Sequence, residues 1–87
     1  MAAKKINFPL SDGMQAKAAS EITNYFRNFD GMPTIVYKST VANAKSIISL
    51  LGLGLKGGEE IEIRIESENG DNDIDDFLSF LEAMVKG

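Results

Sequence analysis

The chain contains no histidine and no cysteine. The first absence excludes an imidazole general base, an imidazole metal ligand and a phosphohistidine. The second excludes disulfides and thiolate metal sites. Carboxylates and lysines remain for proton transfer, and no pair of them is placed for it. Positive charge is also scarce: nine lysines and arginines face thirteen acids, for a net charge of -4. No stripe of cations interleaves with aromatics, so no direct nucleic-acid partner is expected. The apolar runs are too short to cross a bilayer, and the N-terminus lacks the apolar segment of a signal peptide. A cytoplasmic location without membrane contact is therefore expected. Eighty-seven residues suffice for one core and not two, so residues 1–87 are read as a single domain.

What is present is strongly patterned. Lys4-Lys5-Ile6-Asn7-Phe8 alternates as a half-buried strand does, and Pro9 ends its ladder. Ser11-Asp12-Gly13 signals a loop. From Met14 the residues favour helix, with Ala19, Ile22, Phe26 and Phe29 on one stripe and Asp30-Gly31 before Pro33 as the stop. Thr34–Tyr37 and Thr40–Ala42 are β-branched runs joined through Lys38-Ser39, which predicts a hairpin. In Glu60–Glu66 the isoleucines at 61, 63 and 65 alternate with charged residues, so one face of the sheet is covered and the other is wet. Ile74, Phe77, Leu78, Leu81 and Val85 form the stripe of a last helix. Asp71, Asp73, Asp75 and Asp76 crowd its first turns, where the helix dipole favours anions. The spacing of the first three suggests calcium, but the sixth position of such a loop demands glycine and would be Asp76. Helix capping is the reading adopted, with no metal and no cofactor. The order β-α-β-β-α-β-α implies an α/β (α+β) two-layer open-faced sandwich, a four-stranded mostly antiparallel sheet with three helices on one face.

The stretch from Thr40 to Gly54 organises the rest. Ser46 follows Lys45 and opens a run of Ile47, Ile48, Leu50, Leu51, Leu53 and Leu55. Serine suits a helix N-terminus, and Gly52 and Gly54 limit the helix to about two turns. So short a helix cannot bury every aliphatic side chain of the run. An exposed apolar patch beside a modifiable hydroxyl suggests a docking surface with a switch. The plainer alternative is a capped core helix with a tolerated surface isoleucine.

The element order, the length and two motifs resemble the HPr family, the phosphocarrier proteins of the bacterial sugar phosphotransferase system. Lys45-Ser46-Ile47-Ile48-Ser49-Leu50-Leu51-Gly52-Leu53-Gly54 looks like the family's regulatory serine signature throughout. The resemblance places Ser46 where the ATP-dependent HPr kinase/phosphorylase adds phosphate. The family's phosphocarrier loop reads Gly, aliphatic, His, Thr or Ala, Arg, Pro, Ala; here it reads Gly13-Met14-Gln15-Ala16-Lys17-Ala18-Ala19. Gln15 stands at the phosphoacceptor position, and an amide nitrogen is not a nucleophile. Lys17 keeps a charge but loses the planar two-pronged phosphate contact of arginine. A glutamine at 15 with an intact Ser46 is similar to the Crh-like branch of the family, which regulates without sugar phosphotransfer, although that branch usually keeps the arginine and proline replaced here by Lys17 and Ala18.

The resemblance implies that Ile47, Ile48 and Leu51 form the exposed patch while Leu50, Leu53 and Leu55 face inward. Phosphate on Ser46 adds about -1.5 to -2 charge at the start of the short helix. The helix dipole contributes only about 0.3–1 kcal/mol there, so the output is recognition rather than refolding. The implied reader is a LacI-type catabolite control regulator that touches phosphate, patch, Lys45 and the loop around Gln15 and Lys17. Lys17 is equally well explained as a solvated charge in the first helical turn. Two other classes compete with this regulatory reading. A working phosphocarrier is opposed by Gln15. A small α/β enzyme or ligand-binding domain of acylphosphatase type needs an arginine in an anion-holding loop, whereas Arg27 is expected late in a helix and Arg64 within a strand. The protein is accordingly not expected to be an enzyme. Finally, Pro9–Gly13 after an edge-type first strand is a hinge that permits strand exchange.

Overall fold

A computed structural model describes residues 1–86 as β1 (Ala2–Asn7), α1 (Ala16–Tyr25), β2 (Met32–Tyr37), β3 (Thr40–Asn43), α2 (Ile47–Leu51), β4 (Glu60–Glu66) and α3 (Gly70–Lys86). Gly87, the last residue of the expected domain, lies outside them. The strands lie in the order β1-β4-β2-β3 and every neighbouring pair is antiparallel. The architecture is the expected open-faced sandwich, with three helices and an exposed outer sheet face. No described helix is long and apolar enough to cross a membrane.

The central strand explains why. β4 pairs with β1 from Asn7↔Glu60 to Ala2↔Ile65, and with β2 from Val36↔Glu62 to Met32↔Glu66. Its period-two pattern sends Ile61, Ile63 and Ile65 into the core, each worth about 1.5–3 kcal/mol of transfer free energy. On the outer face Arg64 Nε donates to Glu62 Oε1 at 2.6 Å. That pair is partly solvated and adds no more than about 1 kcal/mol. Phe8, Ile22, Phe26, Ile35, Leu50, Phe77 and Leu81 complete the core, and no described polar side chain is buried.

Two expectations are corrected. Helix α1 ends at Tyr25 rather than continuing to Asp30. Arg27 N donates to Asn24 O and Phe29 N to Phe26 O, three-residue steps that tighten the chain into a turn. Phe26 stays buried and Phe29 half-buried, their rings edge to face at 5.3 Å, so the stripe survives while the helix does not. Val85 is 53% exposed, not part of the apolar face of α3. Phe80 and Met84 pack on the core instead.

The hairpin turns through Lys38, the one described non-glycine residue at positive φ, 55°. A side chain there costs about 1–2 kcal/mol against glycine's freedom. Lys38→Gly is expected to raise the urea midpoint, a net gain of about 0.5–1 kcal/mol after glycine's greater unfolded-state entropy is deducted.

Candidate functional site

The chain enters α1 over a glycine. Gly13 adopts φ 74°, and its backbone lies so close to the segment after α2 that an added Cβ would meet Leu55 O at 2.4 Å. Met14 N then donates to Leu55 O at 2.9 Å, fixing the loop against that segment. Gln15 is the N-cap residue in extended conformation, and Ala19 N donates to its carbonyl at 2.9 Å. Its side chain makes no capping hydrogen bond and is exposed, as is that of Lys17.

Gln15 and Lys17 line an open groove of about 930 Å³ that also takes in Leu10, Tyr25, Phe80 and Met84. Tyr25 stacks on Phe80 with ring centroids 4.5 Å apart. Partial burial, then the Asp76 and Asp73 carboxylates, hold its hydroxyl above the ordinary tyrosine range. A folded-state pKa above the unfolded one gives stability that is whole below pH about 10 and is lost as pH rises through the folded value. Urea melts at increasing alkaline pH are expected to show the wild type weakening more steeply than Tyr25→Phe.

The second half of the site is α2. Ser46 is its N-cap: Ser49 N donates to Ser46 Oγ at 3.3 Å and Leu50 N to Ser46 O at 3.1 Å. The helix is only five residues long, shorter than the two turns expected from the sequence. Leu50, Leu53 and Leu55 are buried, whereas Ile47, Ile48 and Leu51 are 42%, 82% and 40% exposed. Ser46→Ala removes a rather long cap bond, so a loss of about 0.5–1 kcal/mol is expected, with faster amide exchange confined to Ser49 and its neighbours.

Lys45 is held from two sides. Its N–H donates to Asn43 Oδ1 at 2.9 Å, and its ammonium donates to Phe29 O at 2.6 Å. That second bond ties the turn after α1 to the entry of α2. Beside it lies a shallow recess of about 620 Å³ lined by Thr23, Arg27, Lys45, Ser46, Ile47 and Ile48. The fold thus gathers Lys45, Ser46, Ile47 and Ile48 in one place and Gln15 with Lys17 in another, while Leu51 lines neither cavity. Arg27 also belongs to the Ser46 recess, a placement that no local pattern signals. It lies in the turn beyond α1, not late in a helix.

Comparison with known proteins gives a consistent outcome. A family model described as "PTS HPr component phosphorylation site" matches residues 2–83. The phosphocarrier protein HPr of Streptomyces coelicolor is 32% identical over 73 residues, 82% of this chain and 77% of that protein. Among solved structures, HPr-C-His of Thermoanaerobacter tengcongensis superposes with a TM-score of 0.88 at 20% identity, covering 100% of this chain and 98% of that one. Crh of Bacillus subtilis, described as a catabolite-repression protein with a swapping domain in an intertwined dimer, gives 0.73 at 22% identity over 95% of both chains. At such identities the two structures speak for the fold alone.

Proposed function

The chain belongs to the HPr family, and from that premise we propose that it is a regulatory protein of carbon catabolite control, switched by phosphorylation of Ser46. HPr-family proteins are phosphocarriers and not enzymes. In this reading even the carrier step is gone. The observation that carries it is a pairing of one loss with one retention. A carboxamide, Gln15, stands where the family resemblance puts the phosphoacceptor, while Ser46 caps α2 beside exposed Ile47, Ile48 and Leu51. The nitrogen lone pair of an amide is delocalised into its carbonyl, so the group is no nucleophile toward a phosphoryl donor. A serine hydroxyl at a half-buried cap, flanked by an apolar patch, suits a kinase and then a reader.

The partners proposed are HPr kinase/phosphorylase, which writes the mark, and a LacI-type catabolite control regulator, which reads phosphate and aliphatic patch together. Gln15 and Lys17 act as binding contacts in this scheme, and Lys45, Ile47, Ile48 and Leu51 as the docking surface. The experiment is a pair of incubations, one with phosphoenolpyruvate and enzyme I, the other with ATP and HPr kinase. Mass spectrometry is expected to find a single phosphate, only with ATP, absent from Ser46→Ala. Phosphate acquired from phosphoenolpyruvate would overturn the reading.

A further inference from the structure

Most of the carboxylates lie from Glu59 onward, in and around β4 and α3, and none of the chain's carboxylates lines the recess at Ser46. Its charged residues are Arg27 and Lys45, both positive. The ion pairs among the described residues are Lys4 with Asp75 and Arg64 with Glu62, so no carboxylate neutralises either cation of the recess. The two cations are not equivalent. The Lys45 ammonium already donates to the Phe29 carbonyl at 2.6 Å. Arg27 lies in the turn beyond α1, its backbone N–H bonded to Asn24 O and its side chain exposed. Its five donors are suited to gripping a tetrahedral anion with two at once.

We infer that Arg27 is an intramolecular clasp for phosphate carried on Ser46, closing the turn beyond α1 onto the entry of α2. The inference rests on the regulatory reading for its biological occasion, though its chemistry does not depend on which enzyme adds the phosphate. The donor is a side chain from a different element, so the clasp does not rely on the free amides of the five-residue α2. Lys45, bound to Phe29 O, already holds the two elements in register. The clasp fixes the phosphate over the recess beside Ile47 and Ile48. A partner then meets anion and aliphatic side chains as one preformed surface, with less ordering left to do on binding.

Phosphoserine installed at position 46 during translation tests this without any kinase. The phosphate is titrated by phosphorus-31 NMR in the wild type and in Arg27→Gln, Arg27→Lys and Lys45→Gln, with circular dichroism to confirm the fold. A nearby cation favours the dianion, so the second phosphate pKa is expected to lie about 0.5 or more below that of Arg27→Gln. Arg27→Lys is expected to return part of the difference, and Lys45→Gln to change it less than Arg27→Gln does. Equal values in the wild type and Arg27→Gln, or a loss confined to Lys45→Gln, would overturn the clasp. Failure of HPr kinase to label Ser46 would instead strike the regulatory reading and leave this titration standing.

Discussion

Phe77→Ala lowers the unfolding free energy by about 3–5 kcal/mol, the range for removing a fully buried aromatic side chain. A domain of this size is held by roughly 5–10 kcal/mol in total, so the variant sits close to unfolding at ambient temperature. The size of the loss follows from what Phe77 touches. Its ring, with no exposed surface, lies 4.7 Å from that of Phe26 and 5.5 Å from that of Tyr25. Those two rings, at the end of α1 and just beyond it, meet α3 through Phe77, and Phe80 extends the cluster to the surface. The neighbours are large and mutually packed, so they cannot collapse into the space vacated. Urea unfolding followed by circular dichroism measures the effect. A loss below about 2 kcal/mol would mean that the aromatic cluster relaxes and is not the seam between the helices.

Gly13→Ala is expected to cost about 2–4 kcal/mol, from two separable causes. The first is conformational: φ of 74° places any residue with a Cβ in the left-handed region, at about 1–2 kcal/mol. The second is a collision with Leu55 O at 2.4 Å and Lys56 Cα at 3.0 Å, both backbone atoms that cannot rotate aside. Gly54 provides the control, since it has φ of 65° but nothing within 4 Å of an added Cβ. Gly54→Ala therefore incurs only the conformational cost. The difference between the two variants isolates the contact that seats the Gln15 loop on the segment after α2. Amide exchange at Met14, whose N–H bonds Leu55 O, is expected to quicken in Gly13→Ala alone.

The sequence was most legible where one local pattern and one tertiary demand coincide. The isoleucines of β4 alternate because a central strand buries one face, and the structure uses all three that way. The outward turn of Ile47, Ile48 and Leu51 follows from the brevity of α2, since a five-residue helix has a single side to hide. Legibility fails where packing, rather than periodicity, chooses the buried side. Val85 keeps the angular phase of Ile74, yet the end of α3 leans on Tyr25 of α1 through Phe80, and Val85 is left in solvent. The Phe26 and Phe29 stripe implied a longer α1, because two rings on one face look helical even when a tightened turn brings them together. Arg27 reads from the sequence as a helical arginine away from any site for a related reason. Nothing nearby in sequence links it to Ser46, and the recess they share arises only when α2 folds back beside the turn beyond α1.

Gln15 caps α1 without using its side chain; backbone bonds and Gly13 secure the start of the helix. The architecture is therefore indifferent to which polar group stands at that point. A different polar side chain at that position would change what the loop presents to solvent while leaving the start of α1 as it is.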